Sequence, residues 1–170
     1  MEAHAFDIRR ASVADADVIA RHRADMFRDM GQLADDWRSV LIAQTTETLR
    51  TDLESGEYVG WLATPAGDPA TIIGGGGALL RRRLARIAGS GPHASLAPGR
   101  EALIVNVFTE PEWRRRGVAR RIVEGIVAWA RADRRDTIVL HASQDGRGLY
   151  ESIGFRATNE MRYVGPPRRD

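Results

Sequence analysis

Apolar residues recur at helical spacing in four stretches of this chain, and these stretches predict four helices. Ser12 stands before the first stretch, with Asp15 three residues later, which is typical of a helix N-terminus. Gly31 and Gly56 follow the first two stretches and predict where those helices end. The predicted helices cover 14–28, 36–54, 117–131 and 145–153.

Shorter apolar runs between these stretches predict strands. The run 102–109 is predicted to be a central strand, because its uninterrupted apolar centre is typical of a strand covered on both faces. Four consecutive glycines at 74–77 predict a bulge, or a place where a neighbouring backbone or a ligand comes close. Residues 89–99 are expected to form a loop. The predicted strands cover 6–10, 58–64, 71–84, 102–109, 137–141 and one or two segments of 155–164.

The order of these elements, without internal repeat or linker, predicts one domain of the mixed α/β (α+β) class over residues 1–165. Residues 166–170 are expected to be a frayed tail. No apolar stretch approaches the roughly 18 residues that a membrane span requires. The N-terminus carries Glu2, His4 and Asp7 and lacks the apolar region of a signal peptide. We therefore expect a cytoplasmic protein without a membrane partner.

Composition limits the chemistry that the chain can perform. The absence of cysteine excludes disulfides, thiolate metal sites and a cysteine acyl-enzyme. The 25 basic residues are all arginine, yet the formal net charge is only +2, so we expect no nucleic-acid partner. No grouping of His, Asp and Glu has the spacing of a metal site, and no metal is expected.

The segment 109–119 connects the predicted central strand to an amphipathic helix and carries the main chemical signal of the sequence. The N-terminus of a helix binds anions, because its first N–H groups are unbonded and the helix dipole is positive there. Gly117 would let an anion approach the backbone closely. The segment lacks the Gly-Lys-Ser/Thr of a Walker loop and the G-x-G-x-x-G of a dinucleotide fold. We interpret it as a diphosphate site, surrounded by Arg114, Arg115, Arg116 and Arg120.

The spacing Arg114-x-x-Gly117-x-Ala119 resembles the Arg/Gln-x-x-Gly-x-Gly/Ala signature of the GNAT N-acetyltransferase superfamily. Downstream, Leu149-Tyr150 and Gly154-Phe155 resemble that family's Leu-Tyr-x-x-x-Gly-Phe element, and the order of elements is similar along nearly the whole chain. The resemblance implies a mostly antiparallel central sheet flanked by helices. It also implies that the loop binds the pyrophosphate of acetyl-CoA.

The same resemblance implies a set of cofactor contacts along the strand end, the loop and the first helical turn. Ser143 belongs to this set, although family members often carry Asn there and Ala at the position of Gly146. The implied acetyl-CoA contacts are Val107, Phe108, Thr109, Arg114, Arg115, Arg116, Gly117, Val118, Ala119, Arg120 and Ser143.

The resemblance implies direct transfer of the acetyl group to a primary amine within a ternary complex, which agrees with the absence of cysteine. Backbone N–H groups near Phe108 and Thr109 would hold the thioester carbonyl. Tyr150 is the expected general acid for the departing sulfur, because a tyrosine hydroxyl is protonated at neutral pH. The general base is left open among three carboxylates, which are Asp25, Glu101 and Glu110.

The acceptor is expected to lie between the first two helices and the sheet, in a pocket shaped by Met26, Phe27, Met30 and Trp37. A small-molecule amine is the favoured acceptor. Two alternatives stay open, which are a peptide or protein N-acetyltransferase and a non-catalytic CoA-binding regulatory module. A homodimer is the default expectation for a small enzyme of this kind.

Overall fold

The computed structural model describes residues 5–158, 160, 161 and 163. Within these residues, the predicted strands and α-helices follow one another in the predicted order up to the last helix, and two further short strands lie between the strands predicted at 71–84 and 102–109. In chain order they are β1 (Phe6–Arg10), α1 (Ala16–Asp29), α2 (Asp35–Ser55), β2 (Tyr58–Pro65), β3 (Gly74–Arg82), β4 (Arg86–Ala88), β5 (Ser95–Ala97), β6 (Arg100–Thr109), α3 (Val118–Ala132), β7 (Thr137–Leu140) and α4 (Arg147–Ile153).

All four predicted helices are confirmed, with ends within two residues of the predicted ones. A short 3-10 turn precedes α1, and the Asp15 carboxylate in it accepts a hydrogen bond from the Ser12 backbone N–H at 2.8 Å. Gly56 ends α2 in the left-handed conformation, with φ of 80°. The local helix signals in the sequence therefore correspond to real helix boundaries.

Five strands form the main sheet in the order β1-β2-β3-β6-β7. Every neighbouring pair is antiparallel except β6 and β7, which run parallel. The mostly antiparallel sheet implied by the sequence is thus confirmed. The segment 89–99 is more ordered than the expected loop, because Ser95–Ala97 pairs with Arg86–Ala88 in a small separate hairpin.

Helices cover both faces of the main sheet. Helices α1 and α2 lie on one face, where their apolar residues pack against Tyr58 and Leu62 of β2. Helix α3 lies on the other face, and its fully buried Ile122 and Ile126 pack against sheet residues that include Trp61. The sheet is therefore the middle of three layers, with a core on each side.

Strand β6 contains one more residue than β3 along a short part of their pairing. Val105 is opposite Gly77 and Phe108 is opposite Gly75, so two residues of β6 face a single residue of β3. Asn106 lies in this bulge with φ of 58°, a left-handed conformation that few non-glycine residues adopt. A bulge bends its strand and increases the local twist. The residues after Asn106 therefore leave the direction set by the first half of β6.

The glycine run on β3 allows close packing at the bulge on both faces of the sheet. A Cβ on Gly76 would lie 2.9 Å from Ile122 of α3, and one on Gly75 would lie 2.8 Å from Leu62 on the opposite face. A Cβ on Gly77 would lie within 2.8 Å of the Val59 carbonyl oxygen and would overlap the Tyr58 hydroxyl. The predicted close approach of a neighbouring backbone is found at this run, whereas the bulge lies in the partner strand β6, directly opposite the glycines.

The predicted strand or strands within 155–164 are absent from the part of that segment that the structure describes, which is residues 155–158, 160, 161 and 163. The remaining positions of the segment, and the expected tail at 166–170, lie outside the described residues. None of the described helices combines the length and the apolar character needed to cross a membrane.

Gly77→Ala is expected to lower the free energy of unfolding by about 1–3 kcal/mol, since the added methyl group has no space beside the buried ring of Tyr58. Gly125→Ala is the matched control, because a Cβ there meets no atom within 4 Å. In the middle of α3 this control substitution should raise stability by about 0.5–1 kcal/mol. Urea denaturation followed by circular dichroism measures both changes. Equal effects of the two substitutions would contradict the close-packing argument.

Candidate functional site

Strands β6 and β7 separate at the bulge. Their parallel pairing runs from Glu101 opposite Thr137 to Ile104 opposite Leu140. Strand β6 then continues to Thr109 while still paired with β3 on its other side. Beyond Ile104, none of the described strands pairs with the β7-facing edge of β6. We call this the free edge of β6, and it is a row of backbone groups open to a ligand.

The register decides which backbone groups point to the free edge. The backbone N–H of Glu110 donates to the Ile73 carbonyl oxygen at 2.9 Å, so this N–H group is directed toward the β3 side of the strand. Successive strand residues direct their backbone groups to opposite edges. The N–H of Phe108 therefore points toward β3, whereas those of Val107 and Thr109 point to the free edge. Contrary to the expectation, the Phe108 N–H therefore does not lie at the free edge, and the backbone N–H groups directed there are those of Val107 and Thr109.

The free edge leads into the N-terminus of α3. The first helical hydrogen bond runs from the Arg121 N–H to the Gly117 carbonyl oxygen at 3.0 Å. The N–H groups of the residues before it, Val118, Ala119 and Arg120, therefore have no partner within the helix. Gly117 has φ of 82°, and a Cβ on it would meet nothing within 4 Å. Glycine here supplies the left-handed turn and leaves open space in front of the helix end.

The arginine side chains around this turn are largely engaged with the protein itself. Arg114 donates to the Thr109 carbonyl oxygen at 3.0 Å and forms an ion pair with Asp29 of α1. Arg120 donates to the Ser152 hydroxyl of α4 at 2.7 Å. The guanidinium of Arg116 lies 5.2 Å from the centre of the Trp113 ring, and Arg115 is exposed. Among the described residues, this turn therefore offers an anion its backbone N–H groups, the positive end of the helix dipole and the exposed Arg115.

Tyr150 lies on α4 and packs against the core on the α3 side of the sheet. Its ring meets Phe155 edge-on, with ring centres 6.2 Å apart. Burial raises the pKa of Tyr150, so its hydroxyl stays protonated at neutral pH. Gly146 lies close against this ring, and a Cβ there would make a tight contact of 3.0 Å with it. The Ser143 hydroxyl accepts the Gly146 N–H at 3.2 Å and so holds the turn before α4.

Two of the three carboxylates considered as a base each pair with more than one arginine. Glu101 lies at the opposite end of β6 from the free edge and is held by Arg81 and Arg83 at 2.7 Å each. Asp25 pairs with Arg21, Arg28 and Arg38. Burial acts to raise the pKa of Asp25, but the hydrogen bond from Arg38 and the three arginine charges hold it below its ordinary value.

Glu110 is the carboxylate at the end of β6 where the free edge lies. It pairs with Arg21 at 2.8 Å, and its Oε1 lies 3.4 Å from Nε2 of His22. His22 is only 1% exposed and packs against the Phe108 ring. Burial, and then the charge of Arg21, lower the pKa of His22 to about 4. The imidazole beside Glu110 is therefore neutral at physiological pH.

Sequence reasoning missed three residues of this region, which are His22, Arg23 and Asn106. His22 follows Ile19 by three positions and so falls on the buried stripe of α1, which is an unusual place for an imidazole. Asn106 interrupts an otherwise apolar strand. Arg23 donates to the Asn106 side-chain oxygen at 2.6 Å, a contact between positions 83 residues apart that no local pattern indicates.

The four residues expected to shape an acceptor pocket differ in their surroundings. Met26 and Phe27 are half-buried, and Phe27 lies under the Arg23 guanidinium at 4.9 Å. Met30 is 37% exposed and Trp37 is 64% exposed. A surface groove between α1 and α2 is lined by other residues, including Asp17, Arg38 and Arg50, and by none of these four.

Comparison with known proteins agrees with this geometry. Residues 32–165 match the acetyltransferase (GNAT) domain family. A search of curated protein sequences found no match to the chain.

Solved structures share the fold. A GCN5-related N-acetyltransferase from Ralstonia eutropha JMP134 is 24% identical, with a TM-score of 0.79 over 93% of this chain and 97% of that one. A predicted acetyltransferase from Clostridium acetobutylicum, solved with acetyl-CoA, is 24% identical, with a TM-score of 0.74 over 94% and 96% of the two chains. An aminoglycoside N-acetyltransferase in complex with CoA is 15% identical, with a TM-score of 0.63 over 95% and 94%. The family match over most of the chain, together with this shared fold, places the protein in the GNAT family of acetyl-CoA-dependent acetyltransferases.

Proposed function

We propose that this protein transfers the acetyl group of acetyl-CoA directly to a primary amine of a small molecule, within a ternary complex. The observation that carries the proposal is the continuity between two open backbone surfaces. The free edge of β6 ends at Thr109, and the unbonded N–H groups of α3 begin at Val118. A molecule with an extended amide-containing arm and a diphosphate matches this pair of surfaces.

Acetyl-CoA has this form. Its pantetheine arm carries amides that can pair with a strand edge, and its pyrophosphate is an anion suited to a helix N-terminus. The residues present fit the cosubstrate, because the left-handed Gly117 leaves the space in front of α3 open. The N–H groups of Val118, Ala119 and Arg120 would hold the pyrophosphate, with Arg115 and Arg116 adding positive charge nearby.

The transfer itself needs an oxyanion site, a base and an acid. The amine nitrogen attacks the thioester carbonyl carbon, and the N–H groups of Val107 and Thr109 stabilise the oxyanion that forms. The carbon–sulfur bond then breaks as the carbonyl is restored on the new amide. Tyr150 donates its proton to the leaving sulfur, and the proton lost by the amine passes to the base, directly or through water.

Glu110 is the base that the geometry favours. It directly follows the strand that carries the oxyanion donors, whereas Glu101 lies at the other end of that strand between two arginines. Asp25 is surrounded by three arginines, which weaken it as a proton acceptor. Glu110 has one positively charged neighbour, Arg21. His22 also lies beside Glu110, but it is neutral and adds no further positive charge.

The acceptor enters from the α1 side of the sheet in this proposal. Phe27 and Met26 are half-buried there and would form the apolar part of its site, with Met30 and Trp37 at the rim. A small molecule is favoured because α1 packs directly on β6 beside the bulge. Acetylation of peptides but not of small amines would support the peptide alternative instead.

Gly117→Val is expected to weaken acetyl-CoA binding at least about 100-fold, because a β-branched residue disfavours the left-handed turn and places atoms where the diphosphate lies. Gly56→Val is the matched control, since Gly56 has φ of 80° and equally open space around it but ends α2. Calorimetric titration with acetyl-CoA measures both variants and the wild type. Equal affinity of the two variants would contradict the assigned loop.

Tyr150→Phe is expected to lower kcat by roughly 100-fold and to leave acetyl-CoA affinity nearly unchanged, because only proton donation to sulfur is lost. Release of the CoA thiol during acetylation of a panel of amines gives kcat, and calorimetry gives the affinity. If kcat of the Tyr150→Phe variant is close to that of the wild type, Tyr150 is not the general acid.

Glu110→Gln is expected to lower kcat about 100- to 1,000-fold, since the amide cannot accept the proton of the attacking amine. Glu112→Gln is the control, because Glu112 is exposed in the same connection and is not assigned a role. Raising the pH should partly restore the Glu110→Gln variant by deprotonating the amine in solution. A variant with normal kcat at neutral pH would show that another group accepts the proton.

A further inference from the structure

Arg23 is a half-buried cation without a carboxylate partner among the described residues. Its Nη1 donates to the Asn106 Oδ1 at 2.6 Å, and its guanidinium lies 4.9 Å from the centre of the Phe27 ring. Burial lowers the pKa of Arg23, which reflects the cost of keeping the charge there without a counter-ion. Asn106 and Phe27 fix the orientation of the group but leave its charge uncompensated.

The other arginines of this region are compensated. Arg21, Arg28 and Arg38 all contact the carboxylate of Asp25, and Arg21 also reaches Glu110. Arg23 is on the same helix, yet its partner is a neutral amide. A partly desolvated guanidinium that is held in place, with donors left over, is suited to bind an anion that arrives from outside.

The position of Arg23 relates this anion site to the proposed reaction. Asn106 directly precedes Val107, whose N–H points to the free edge, and consecutive Cα atoms are about 3.8 Å apart. The Asn106 and Phe108 side chains both contact α1, so the anion site and the apolar wall at Phe108 face the proposed acceptor side. The residue that holds Arg23 and the first N–H group of the free edge are therefore consecutive in the chain, which places an anion on Arg23 next to the proposed position of the reacting amine.

We propose that the acceptor is an amine that also carries a carboxylate close to the reacting nitrogen, and that Arg23, positioned by Asn106 and Phe27, binds this carboxylate. The class comprises free amino acids and small amino-acid-like molecules. The planar fork of a guanidinium matches a carboxylate in two parallel hydrogen bonds. This inference rests on the proposed function, since it names the substrate class of the same site.

The test compares matched acceptors that differ only at the carboxylate. Four amino acids are used, which are alanine, phenylalanine, glutamate and lysine. Each is assayed beside its own α-carboxamide and beside the corresponding amine without the α-carboxyl group, and release of the CoA thiol is measured. At least one amino acid is expected to have a kcat/KM at least about 10-fold above that of its two analogues without the α-carboxylate. Arg23→Gln should raise KM for that amino acid about 10- to 100-fold and leave KM for its carboxamide unchanged.

Control variants separate recognition from stability. Arg50→Gln removes the same charge from an exposed position on α2 and should preserve the preference for the carboxylate. Arg23→Lys keeps the charge but loses the fork, and should retain only part of the preference. If Arg23→Gln fails to fold, the lysine variant and the wild-type acceptor series still decide the question.

The outcomes distinguish this inference from the proposed function. A protein that binds no acetyl-CoA in calorimetry, or acetylates no amine, contradicts the function itself. A protein that acetylates amines equally well with and without the carboxylate contradicts only the acceptor class. Retention of the full preference in Arg23→Gln would overturn the assignment of Arg23.

Discussion

The structure of the site depends on one irregularity in the sheet, the extra residue in β6 at Asn106. Up to Ile104, β6 is an ordinary central strand with hydrogen-bonded neighbours on both sides. After the bulge it keeps β3 and loses β7, because the bend separates two parallel strands that would otherwise continue together. The free edge, the position of Thr109 and the start of α3 all follow from this change of direction. Asn106 also provides the contact that orients Arg23.

The bulge is possible because β3 offers glycine opposite it. Side chains at 75 and 77 would collide with Leu62 and Tyr58 of β2, and a side chain at 76 would collide with Ile122 of α3, so the close packing at the bulge requires glycine on both faces of the sheet. Glycine in a strand costs conformational entropy and contributes no packing. The buried apolar residues of the two cores offset this cost on either side of the sheet. Tight packing of both layers then keeps the bend in a single conformation.

Much of the fold is encoded in local patterns, and those parts were predictable. The stripe of α3, the glycines that end α1 and α2, and the strand-loop-helix at 109–119 all depend on residues close in sequence. The direction of the Phe108 N–H was not predictable, since it depends on the register between β3 and β6. The pairing of Glu101 with Arg81, which argues against Glu101 as the base, likewise depends on contacts between distant parts of the sequence. The environments of Arg23 and His22 were not predictable either, because their partners, Asn106 and Glu110 respectively, are more than eighty residues away in the sequence.

In the proposed complex, the free edge of β6 would also make the cosubstrate a part of the sheet. Unpaired strand edges are sites where a protein is prone to open locally or to pair with another chain. A pantetheine arm along this edge would satisfy the same backbone groups that a sixth strand would. By mass action, a ligand at 100 times its dissociation constant stabilises the folded state by about 2.7 kcal/mol. In a cell that maintains acetyl-CoA, the folded population of this protein would therefore follow the supply of its own acetyl donor.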